Sequence, residues 1–141
     1  MVSYMGVIIE GTYLGKKKSK LIHTPSGTEI VTAAPRDNFG DGSSFSPTDL
    51  VAGALGACMM TLIGIVGERD GIDLSGMKMR VEKEMEGQPR RIGMLYVVLH
   101  LPRNLPEADR GKLERAAMTC PVHHSLSTDT EIDAKFVYDL E

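Results

Sequence analysis

The chain has 141 residues, 42% of them hydrophobic and 25% charged, with a net charge of −3. That length suits a single domain over residues 1–141 with a core of its own, and the mildly acidic balance gives nucleic acid no electrostatic reason to bind. Two cysteines are too few for a secreted disulfide framework, so the expected compartment is the reducing cytoplasm.

Met1 to Glu10 lacks the basic start, apolar stretch and small-residue cleavage site of a signal peptide. Met5 to Leu14, Lys20 to His23 and Thr28 to Ala33 are rich in Val, Ile, Thr and Tyr. Gly15–Lys18 and Pro25-Ser26-Gly27 separate them as turns, which predicts a three-stranded antiparallel meander. The lysines at 16, 17, 18 and 20 have no aromatic residues interleaved and read as a solvated hairpin tip.

Ala34 to Phe45 is the longest aperiodic stretch, and loops of that length in a compact domain are commonly functional. It ends in Ser46-Pro47-Thr48-Asp49, a helix start with Ser46 as N-cap, Pro47 at the first helical position and Asp49 closing a capping box. The helix should run to about Arg69, where Asp70-Gly71 stops it. Leu50 to Val66 has no charge, but a bilayer requires about 20 apolar residues, and Gly53, Gly56 and Gly64 interrupt the run. Apolar residues on all sides predict a buried central helix rather than a membrane span.

Met77 to Met85 and Ile92 to Leu101 alternate as paired strands around Gly87-Gln88-Pro89. Pro106 opens a second helix, which reaches Cys120 and cannot simply continue through Pro121. Val122 to Leu126 suits a short helical turn, and Ile132 to Leu140 a closing strand. The predicted class is α+β, with antiparallel sheet wrapped around one apolar helix.

Few residues here can do chemistry. Cys58 lies mid-helix among Ala54, Leu55, Thr61 and Leu62, an apolar setting that raises a thiol pKa unless a cation is brought to it. A small core hydrophobe is the alternative. Cys120 precedes a proline at a helix junction, where a following helical turn would favour thiolate, so local physics nominates it as the more acidic thiol. It could equally be a chance cysteine. Only the fold can bring the two within the Cα separation of about 7 Å that a disulfide needs.

Cys120-Pro121-Val122-His123 has metal-like spacing, and Cys58 with His124 could complete four ligands. A second tight ligand pair is missing, so no metal is expected, and both histidines can be plain turn residues. Asp49 either caps the helix or orients an arginine. Arg36, in the aperiodic loop, is a solvated side chain or the cation that offsets the cost of a Cys58 thiolate and donates to a departing oxygen. No glycine-rich phosphate loop joins a strand to a helix, so no nucleotide or flavin cofactor is implied.

Three segments together resemble the OsmC/Ohr family of organic-hydroperoxide-reducing proteins. They are Ser46-Pro47-Thr48-Asp49-Leu50 through Gly53-Ala54-Leu55-Gly56-Ala57-Cys58, the strand pair after the helix, and Thr119-Cys120-Pro121-Val122-His123 with the turn and strand beyond it. The resemblance implies an intertwined homodimer built on two long central helices. It matches Cys58 to the peroxidatic cysteine and Cys120 to the resolving one, Arg36 to an activating arginine and Asp49 to its acidic partner. Known peroxidases usually carry glutamate directly after the helix-opening proline; here Thr48 stands there, with the acid one residue later and one methylene shorter.

The implied reaction is attack of a Cys58 thiolate on an organic hydroperoxide, then a Cys58–Cys120 disulfide that an external thiol reduces. Met59, Met60, Leu62 and Phe39 are candidates to line an apolar pocket. The rival reading is a non-catalytic module that binds a hydrophobic ligand or senses redox state.

Overall fold

The computed structural model describes residues 6–141, so Met5, the expected start of the first strand, lies outside the described residues. The chain divides into two compact units, Met1–Leu50 and Val51–Glu141.

In the first unit, β1 (Ile9–Gly15), β2 (Lys18–His23) and β3 (Thr28–Ala33) form an antiparallel sheet in that order. Gly15 pairs with Lys18, which leaves a two-residue turn whose Lys16 and Lys17 have φ of 55° and 61°. Positive φ at both central positions matches the right-handed twist of the flanking strands. The predicted aperiodic stretch holds a short 3-10 turn over Arg36–Asn38. It is pinned by its own backbone, with Gly40 N–H donating to Pro35 and Gly42 N–H to Ala34.

Helix α1 (Pro47–Asp70) starts with the expected capping box. Asp49 N–H donates to Ser46 Oγ at 3.1 Å, and Ser46 N–H donates back to Asp49 Oδ2 at 2.8 Å. At the far end Gly71 adopts φ +69°, and Ile72 N–H reaches back to the Gly67 carbonyl at 2.8 Å, satisfying an orphan acceptor.

The second unit carries a mixed sheet ordered β4 (Lys78–Glu86), β5 (Arg91–Pro102), β6 (Glu131–Leu140). β4 and β5 run antiparallel, as alternation and the short turn predict. β5 and β6 run parallel, so this sheet is mixed rather than wholly antiparallel. Parallel neighbours need a long crossover, supplied here by α2 (Glu107–Ala117) and α3 (Pro121–Ser125).

Side chains on one sheet face meet α1. Val97 lies between Val81 and Ala134 in register, and Leu99 between Met79 and Phe136. They pack with Leu55, Met59 and Ile63, each fully buried and worth about 1.5–3 kcal/mol of transfer free energy. Gly56 permits the close approach of β4, since a Cβ there would lie 2.7 Å from Met79 Sδ.

By length and composition α1 could also cross a membrane. Its buried positions, Ala52, Leu55, Gly56, Met59, Ile63, Val66 and Gly67, recur with helical spacing along one face. Among the described residues, Ala54, Ala57, Thr61 and Ile65 form an exposed stripe along the helix.

Candidate active site

Cys58 projects from the middle of α1 at the rim of the core, and its side chain is partly exposed. Cys120 sits in the link between α2 and α3, inside the core and fully buried. Two features of the local sequence hold it there. Pro121 disfavours helical geometry in the residue before it, so α2 ends at Ala117 and Cys120 adopts an extended ψ of 121°. Cys120 then serves as the N-cap of α3, its Sγ accepting from His123 N–H at 3.4 Å.

α2 is itself fastened to the sheet. Tyr138 on β6 donates its hydroxyl to Glu114 Oε2 at 2.6 Å, and the Arg110 guanidinium lies 4.2 Å above the Tyr138 ring. Desolvation, then the Glu114 carboxylate, raises the Tyr138 pKa, so the phenol stays a donor. Nothing in the sequence pattern marked this trio.

The two thiols, remote in sequence, are close neighbours, and neither is in a disulfide. Burial raises the Cys120 pKa, and proximity to Cys58 raises it further; the amides of His123 and Val122 oppose the shift without reversing it. Local sequence reasoning expected the start of α3 to favour a Cys120 thiolate, and the shift runs the other way. The amides at the start of α3 are present as expected, but desolvation in the core outweighs them. The thiol that solvent can reach is Cys58.

Arg36 and Asp49 belong to the first unit. Arg36 is exposed, and its Nε donates to the Asp41 carbonyl at 3.2 Å. Asp49 accepts from Ser46 as the capping box requires. Of the four nominated residues, the two cysteines are brought close together.

His123 and His124 stack with ring centroids 5.5 Å apart. Sequence reasoning weighed only the imidazole of His123, whereas its backbone N–H is what touches the site. Among the described residues, no group of three or more His, Cys, Asp or Glu side chains is placed to hold a metal ion. Met59 is entirely core and cannot line an open pocket, while Phe39 is 86% exposed.

The OsmC-like protein family model matches residues 40–135, a span that includes both cysteines. The chain belongs to the OsmC-like protein family. A Psychrobacter arcticus 273-4 protein, provisionally assigned to osmotic stress induction and the detoxification response, is 34% identical to this OsmC-like chain. Their structures agree with a TM-score of 0.88 over 96% of this chain and 99% of that one. The organic hydroperoxide resistance protein OsmC of Legionella pneumophila is 21% identical, with a TM-score of 0.72 over 96% and 99% of the two chains. An organic hydroperoxide resistance protein from Elizabethkingia anophelis is 15% identical, with a TM-score of 0.76 over 99% and 100%. The last two show the fold alone. No curated protein matches this OsmC-like chain.

Proposed function

We propose that this chain is a thiol-dependent peroxidase that reduces organic hydroperoxides in the cytoplasm, acting as a homodimer and recycled by an external thiol. The observation that carries this reading is the close approach of a partly exposed Cys58 and a buried Cys120. Cys58 thiolate attacks the distal peroxide oxygen; the O–O bond breaks, an alcohol leaves, and Cys58 becomes a sulfenic acid. Cys120 then attacks that sulfur, water departs, and a Cys58–Cys120 disulfide remains. The apolar surroundings of Cys58, including Met60 and Leu62 at the edge of the core, favour an organic over an inorganic peroxide.

Within this reading Arg36 is the cation that keeps Cys58 ionised and Asp49 its orienting carboxylate, as the family resemblance nominates them. Names of structural neighbours from Legionella pneumophila and Elizabethkingia anophelis, both organic hydroperoxide resistance proteins, point the same way.

Turnover of cumene hydroperoxide with a dithiol reductant tests the proposal. Cys58→Ser should abolish it, and Arg36→Ala should lower kcat/KM by about 100-fold or more. Equal turnover in wild type and Cys58→Ser would leave the rival reading, a non-catalytic binding or redox-sensing module.

A further inference from the structure

The disulfide in the proposed cycle has two sulfurs, and reduction must begin at one of them. From their unequal exposure we infer that the reducing thiol attacks Cys58 Sγ, forms its mixed disulfide there, and expels Cys120. This rests on the reading that a Cys58–Cys120 disulfide forms. Thiol–disulfide exchange requires the attacking sulfur to approach along the S–S axis, so access to the attacked atom and stabilisation of the departing one both bear on the direction.

Access favours Cys58. Its side chain is partly exposed on α1. Cys120 has 0% exposure and is enclosed by the core cluster that includes Leu113 and Ala117. An attack on Cys120 Sγ would require α3 or the end of α2 to open.

At Cys120 the departing charge meets one donor. The His123 N–H already points at Cys120 Sγ at 3.4 Å and can receive the negative charge as the bond breaks. Burial opposes a thiolate at Cys120 and slows its departure, so access rather than leaving-group stability sets the direction.

A small thiolate forms a bond to Cys58 Sγ as the Sγ–Sγ bond breaks, and the electron pair leaves on Cys120. Cys120 takes up the proton that the attacking thiol had released. A second thiolate attacks the small-molecule sulfur of the mixed disulfide, returns Cys58 as a thiolate and yields the oxidised small-molecule disulfide. Two electrons pass from two thiols to the protein.

The test uses the full wild-type chain, oxidised with diamide so that it does not depend on peroxidase activity. Limiting 2-mercaptoethanol is added, the reaction is quenched with acid at successive early times, free thiols are blocked with N-ethylmaleimide, and peptides are mapped by mass. The expected result is 2-mercaptoethanol on Cys58 and maleimide on Cys120, by at least about tenfold over the reverse at the earliest times. Predominant or equal labelling of Cys120 by 2-mercaptoethanol would overturn the inference, as would failure of diamide to form the disulfide. If diamide but not cumene hydroperoxide forms the bond, and the adduct maps to Cys58, the direction stands and the peroxidase reading falls. If the hydroperoxide forms it and the adduct maps to Cys120, the reverse holds.

Discussion

Cys120 illustrates how one residue's chemistry is decided by opposing influences. Two amides at the start of α3 favour its thiolate, and desolvation in the core disfavours it by more. Because the folded-state pKa is raised, the reactive thiolate should appear only at pH above the ordinary value of 9.0. In a Cys58→Ser chain, where Cys120 is the lone thiol, the rate of iodoacetamide alkylation should therefore reach half its plateau above pH 9.0. A midpoint near 7 would show that the amides dominate after all. Cys58 had looked inert from its apolar helical neighbours alone, yet its side chain stays partly in solvent. Periodicity identifies which residues share a helix face, but not how completely the rest of the chain covers that face.

Among the elements, α1 was legible almost to the residue because its signals are local. Ser46, Pro47 and Asp49 cap one end, and Asp70-Gly71 ends the other. The predicted strands match those observed to within a few residues for the same reason, since turn chemistry lies in adjacent positions. The parallel β5–β6 pair was not legible, because strand direction depends on the path of the crossover between them.

Two predictions belong to elements. Gly56 sits where α1 meets β4, and a methyl group there collides with Met79 and Val81. Gly56→Ala should lower stability by about 1–3 kcal/mol in urea unfolding, despite alanine's better helix propensity. Asp70, at the end of α1, is held at a pKa of about 2, first by Arg69 and then by Lys112 of α2. Since its folded-state pKa is depressed, its contribution is present above the ordinary value of 3.8 and lost as pH falls toward 2. Melting temperature against pH should therefore fall less steeply between pH 4 and 2 in Asp70→Asn than in wild type.

Across the whole molecule, the striped exposure of α1 and the apolar side chains on the first sheet bear on assembly. Ile65 is 55% exposed, and Ile9, Tyr13 and Ile30 of the first sheet are exposed as well. Exposed apolar side chains of this kind are characteristic of surfaces that a second chain covers. Sedimentation velocity should give a dimer for wild type and a dissociated or weakened species for Ile65→Asp; a wild-type monomer at tens of micromolar would remove the homodimer from the proposed function.

What the sequence by itself determined was the succession of elements, their ends, and the family resemblance carried by the two cysteine contexts. Those depend on neighbours within a few positions, whose steric and hydrogen-bonding preferences act before any long-range contact forms. The tertiary structure decided the parallel strand pairing, the meeting of Cys58 with Cys120, and which of the two is hidden from water. The meeting and the shielding depend on residues distant in the chain packing against the same α1 helix, and desolvation has no local signature to read.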